Sequence, residues 1–112
     1  MVFTFNKNVL TLTFVTNQII MSEKDEFYQK LEKQLEEHHK FPSIYLFKFI
    51  IPNNNRSLAL AEELFTAKAV VTFRESKTGK YVSVTGKDKL PSAEAVIATY
   101  RLAEKIEGLM SL

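Results

Sequence analysis

Ser43-Ile44-Tyr45-Leu46-Phe47-Lys48-Phe49-Ile50-Ile51, entered through Phe41-Pro42 and left through Pro52-Asn53-Asn54-Asn55, is the stretch around which this chain organises itself. Aromatic and β-branched residues crowd it while proline and asparagine punctuate both ends, so it reads as a central β-strand. Lys48 marks the solvent phase. Alternation then sends Tyr45, Phe47, Phe49 and Ile51 inward and Ile44, Leu46, Lys48 and Ile50 outward. A half-exposed sheet should not present three large aliphatics at its centre without a cover. The preceding helix, the first twenty residues or a second subunit is expected to supply one, which makes Ile44, Leu46 and Ile50 the candidate interface.

Ahead of this strand, Ser22 precedes Glu23-Lys24-Asp25-Glu26, a serine N-cap with early acids that suit a helix N-terminus. The helix is expected to run to about Lys40, with Phe27, Leu31 and Leu35 as a narrow apolar stripe and Glu26–Lys30 and Glu36–Lys40 as exposed pairs. Beyond the strand, Ser57 to Phe65 has helical spacing at Ala61, Leu64 and Phe65, and Ala67 to Glu75 resumes strand character. Glu75-Ser76-Lys77-Thr78-Gly79-Lys80 is a hairpin turn, with Gly79 available for positive φ, and Tyr81 to Gly86 is the returning strand. Pro91-Ser92-Ala93-Glu94 opens a last helix whose buried side is Val96, Ile97, Tyr100, Ala103 and Ile106. Gly108 ends it, and Leu109 to Leu112 forms a short final strand.

The resulting order, a helix followed by βαββαβ, predicts an α+β ferredoxin-like sandwich: a four-stranded antiparallel sheet with two helices on one face, preceded by an extra N-terminal helix. Three segments follow: 1–21 as an extension, 22–40 as the charged helix, and 41–112 as the sandwich. The extension holds a single charge, Lys7. Its threonines and the Asn17-Gln18 pair spoil a secretory signal, and alternation at Leu10, Leu12 and Phe14 offers an added edge strand as a second reading. The favoured expectation is that Met21 is the true start, at a bacterial-looking N-terminus, with the residues before it translated from upstream or loosely ordered.

Composition narrows the function classes. A chain of 112 residues is one domain, and at that size roughly 60–70% of the unfolded surface is buried, enough for a core without staples. Cysteine is absent, which removes disulfide frameworks, thiol nucleophiles and cysteine metal sites and suits a reducing cytoplasm. The formal charge of +2 divides unevenly. Acids predominate in residues 22–40, whereas Lys68, Arg74, Lys77, Lys80, Lys87 and Lys89 face only Glu75 and Asp88 in residues 68–89.

Phe41-Pro42 before a Tyr/Phe-rich strand, the hairpin Arg74 to Thr85, and the ending Ala103-Glu104-Lys105-Ile106-Glu107-Gly108-Leu109-Met110-Ser111-Leu112 resemble the YbeD-like family of small uncharacterised bacterial proteins, over residues 41–112. The resemblance implies a ferredoxin-like fold similar to ACT-type regulatory domains, with no catalytic residues to carry over. This chain departs from it in its long charged helix and in a short first crossover helix.

Chemical constellations are sparse. His38-His39 diverge by about 100° on a helix and find no third histidine, so no metal is expected. No glycine-rich phosphate loop, HExxH or serine–histidine spacing is present, and neither catalysis nor a cofactor is expected. The loop after the central strand is the best ligand candidate. Asn54 and Asn55 offer amides, Arg56 a guanidinium, and the following helix its free N–H groups, a set suited to a small carboxylate or phosphate. An asparagine-rich turn with a capping residue is the plainer account of the same residues. Nucleic acid is the rival partner: Arg74, Lys77, Lys80 and Tyr81 lie on a segment that can be laid over the third-strand motif of RNA-recognition motifs. Gly79 and Val84 stand where two further aromatics are wanted, so RNA is the runner-up. The reading is a cytoplasmic, non-enzymatic, ACT-like regulatory or interaction domain, with a protein partner, a small effector or a second copy bound, and no membrane span.

Overall fold

A computed structural model describes the backbone of residues 9–112 and the side chains of residues 23–112. The elements are α1 (Val9–His38), β1 (Ser43–Pro52), α2 (Asn55–Glu62), β2 (Val70–Glu75), β3 (Tyr81–Leu90), α3 (Ala93–Ala103) and β4 (Met110–Ser111). The strands form one antiparallel sheet in the order β2-β3-β1-β4, with α2 and α3 on one side of it. This is the ferredoxin-like arrangement expected from the element order.

The inward phase of β1 makes the core. Phe47, Phe49 and Ile51 are fully buried with Val84 and Val96, Val82 is buried with them, and Tyr45 is half-buried beside them. Tyr100 of α3 closes over this row, its ring 5.2 Å from Phe47 and 5.9 Å from Phe49, and its hydroxyl meets that of Tyr45 at 3.0 Å. The Tyr100 phenol is held above its ordinary value of 10.0 by burial first and by the Tyr45 hydroxyl second.

Several boundaries differ from expectation. Helix α1 begins at Val9, not at Ser22, so Ser22 lies inside it and is no cap; residues 10–14 are helical rather than an edge strand. The idea that the chain is loosely ordered before Met21 lies, for residues 1–8, outside the described residues. The buried stripe of α1 is Tyr28, Leu31 and Leu35, not Phe27, which is 62% exposed. Spacings of three and four keep Tyr28, Leu31 and Leu35 within about 60° of one another, and Phe27, four before Leu31, lies outside that arc. Tyr28 also brings a hydroxyl, which donates to Glu104, the C-cap of α3. The ion pairs among the described residues run between helices rather than along α1: Lys24 to Glu104 at 2.8 Å and Arg101 to Asp25 at 3.1 Å. The Arg101 guanidinium also lies 4.6 Å from the Tyr28 ring centre. Helix α1 is thereby fastened to α3, on the helix-covered side of the sheet.

The α2–β2 connection is fastened too. Phe65, expected at the end of the helix, lies beyond it and packs over Gly86, where a Cβ would sit 2.4 Å from the ring. Strand β3 continues four residues past Gly86, bringing in Asp88, which is 1% exposed. Its carboxylate accepts from the Thr66 amide at 2.9 Å and the Thr66 hydroxyl at 2.6 Å. A buried acid is tolerated when both oxygens are hydrogen-bonded, and here it ties the connection to the sheet.

Candidate functional site

Two surfaces gather the candidate residues. The first is the β1–α2 loop. Asn54 is the N-cap of α2, its side-chain oxygen accepting from the Ser57 amide at 2.7 Å. Asn53 is tied to the β2–β3 hairpin, receiving no ligand role: its amide donates to Lys80 O at 2.9 Å and its side chain to Gly79 O at 2.8 Å. Asn55 and Arg56 are exposed in the first turn of the helix, which opens two residues before Ser57.

Beside this loop lies a cavity of about 350 Å³ lined by Asn54, Arg56, Ser57, Leu60, Lys105 and Glu107, with Pro52 at its edge. Asn55 is not in its wall. Lys105 and Glu107 were missed from the sequence, being about fifty residues downstream of Arg56. The signal was Gly108, at φ 78°. A Cβ there would stand 3.0 Å from Pro52 Cγ, so glycine lets the α3–β4 turn close on β1 and bring those charges to the loop. The walls thus offer a guanidinium, an ammonium and a carboxylate around the α2 N-terminus, a set able to hold a small zwitterion or anion.

The second surface is the outer face of the sheet. Ile44 is 67% exposed, Leu46 47% and Met110 53%, while Ile50 is partly covered. Cross-strand register places Lys89 opposite Ile44, Lys87 opposite Leu46, Thr85 opposite Lys48, Ser83 opposite Ile50 and Tyr81 opposite Pro52. Strand β2 adds Val70, Thr72 and Arg74 to the same face, and β4 adds Met110 beside Ile50. None of the described segments covers these aliphatics, because α1 lies against α3 on the other side.

Of the residues considered for RNA, Arg74 and Tyr81 are on this face, while Lys77 and Lys80 are exposed in the hairpin turn. Val84 points into the core and Gly79 occupies the turn at φ 76°. Neither can present a ring to a base. His39 lies 6.0 Å from the Phe41 ring and 6.1 Å from Tyr45, packing the end of α1 onto the start of β1. The described residues include no group of acids and histidines able to hold a metal. Nor is any of their helices long and apolar enough to cross a membrane.

Residues 36–112 match DUF493, a family of proteins of unknown function, and the chain belongs to that family. The match takes in the whole β1–β4 sandwich and only the last turn of α1. No curated protein and no solved structure matches the chain.

Proposed function

We propose that this chain is a cytoplasmic, non-enzymatic, YbeD-like and ACT-like domain that regulates or connects other proteins through its open sheet face. The observation that carries this reading is the exposure of Ile44, Leu46 and Met110 on a face that the described helices leave bare. Scattered exposed apolar residues are ordinary on a monomer, but large aliphatics gathered at the centre of one bare sheet face mark a surface that meets a partner. A photo-crosslinking side chain placed at Leu46 should yield a defined adduct in cells of the source organism, and the same group at the exposed Phe27 should not. Equal labelling from both positions, or none from Leu46, would remove the reading.

A small anionic effector is the second part of this proposal, supported by the cavity in which Arg56 and Lys105 flank the α2 N-terminus. At one hundred times its dissociation constant a ligand stabilises by about 2.7 kcal/mol, within reach of a thermal-shift screen of amino and organic acids. Arg56→Ala should abolish the shift while leaving the unliganded protein nearly unchanged. Single-stranded RNA is the weaker alternative, since Tyr81 is the only ring on the outer phase of the described strands.

A further inference from the structure

The charge of the open face is one-sided. Among the outward positions of the four strands, Lys48, Lys87, Lys89 and Arg74 are cations and none is a carboxylate. The chain as a whole has 15 Lys and Arg against 13 Asp and Glu, so this bias belongs to the face. Of the two inward-phase acids of these strands, Asp88 is buried against Thr66, and Glu75 lines the hairpin end of the face beside Arg74, where it offsets one of the four cations. Between the cations run two apolar patches. Leu46 and Val70 flank Lys87 in one row, and Ile50 and Met110 lie beside Ser83 and Arg74 in another. A groove of about 310 Å³ opens at the second patch, between Ile50, Met110, Tyr81, Arg74 and Glu75, so the unpaired cations of the face are Lys48, Lys87 and Lys89.

We infer that the occupant of this face is an acidic protein segment bearing spaced apolar side chains, not a second copy of this chain. The inference rests on the interaction role proposed above and narrows it. A two-fold contact would set the same patch against itself, bringing Lys48, Lys87 and Lys89 toward like charges in a desolvating interface. An acidic partner meets them with opposite charge. The spacing says more. Leu46 and Ile50 are four residues apart on one strand, about 13 Å, with Lys48 between them. The matching segment therefore carries two apolar side chains about that far apart and a carboxylate between them. Nucleic acid would satisfy the cations but not the aliphatics, which give bases no ring to stack on.

The test is a selection of random peptides of about a dozen residues on the immobilised full chain, followed by binding measurements with the enriched peptide carrying a fluorophore. Enrichment of Asp and Glu between spaced apolar residues is expected, with affinity that weakens as salt is raised. Lys48→Glu and Lys87→Glu, whose exposed sites leave folding intact, should each weaken binding about tenfold. A peptide with its acids exchanged for lysine should prefer the doubly substituted protein. Lack of enrichment, or enrichment without acids, would overturn the acidic partner. A wild-type dimer that Leu46→Glu splits would give the face to a second copy, leaving the interaction role standing. Tighter binding of a single-stranded oligonucleotide, lost in Tyr81→Ala, would give it to nucleic acid. Peptide binding indifferent to every substitution on the face would remove both the acidic partner and the face as the working surface.

Discussion

Gly86 lets an aromatic ring lie against a β-strand. Any side chain there meets Phe65, whose ring also packs 5.8 Å from Phe47 in the core. Gly86→Ala should lower stability by about 1–3 kcal/mol, the usual cost of overpacking, as measured by urea unfolding. Phe65→Leu in the same chain should recover part of that loss; a neutral Gly86→Ala would show that the ring has room to move. A second residue-scale prediction concerns Tyr100. Its folded pKa lies above the ordinary 10.0, through burial and then the Tyr45 hydroxyl. Above pH 10 the unfolded chain therefore gives up a proton that the folded chain keeps, and stability falls as pH rises from there through the folded value. The urea midpoint should be insensitive to this group below about pH 9 and drop above pH 10, with a shallower alkaline drop in Tyr100→Phe. Equal drops in both proteins would assign the alkaline loss to other groups.

Among elements, α1 is the one whose docking the sequence read least well. Its charged composition and an apolar stripe are visible in the sequence, but a spacing of four starts that stripe at Phe27, where the buried residue is Tyr28. Tyr28 is engaged by Glu104 and Arg101, which lie more than seventy residues away and come together with α1 only in the fold. The phase of β1 was legible throughout because Lys48 fixed it locally, and the hairpin was legible because Gly79 and Ser76 are local turn chemistry. Asp88 with Thr66, and Lys105 with Arg56, were not legible, since each pairing needs the tertiary approach of a glycine-bearing segment. The contacts of α1 on α3 described above come from Lys24, Asp25 and Tyr28, and its buried stripe runs from Tyr28 to Leu35. A chain beginning at Met21 retains them all and should melt within a few degrees of the full chain. A chain beginning at Glu36, which keeps the family-matched residues, loses the burial of Tyr28 and Leu35. At about 1.5–3 kcal/mol for each buried side chain, it should be several kcal/mol less stable. Equal midpoints for the Met21 and Glu36 chains would show that α1 is only laid on the domain and does not stabilise it.

At the scale of the whole molecule the two sides of the sheet have separate work. Stability comes from the side carrying Phe47, Phe49, Val84 and Val96, extended outward by α3 and α1, while the other side carries exposed aliphatics and an excess of cations. Leu46→Glu places a charge at a half-exposed site, so in the isolated chain it should change unfolding free energy by no more than about 0.5 kcal/mol. Tyr28→Ala removes a buried ring and its bond to Glu104 and should cost about 3 kcal/mol. Because the two residues share no partner across the sheet, their effects should add within about 0.5 kcal/mol in the double variant. Binding should divide the other way: the selected acidic peptide should lose its affinity with Leu46→Glu and keep it with Tyr28→Ala. A large stability loss from Leu46→Glu would mean that the isolated chain already covers this residue, in which case the face is part of its core and not its meeting surface.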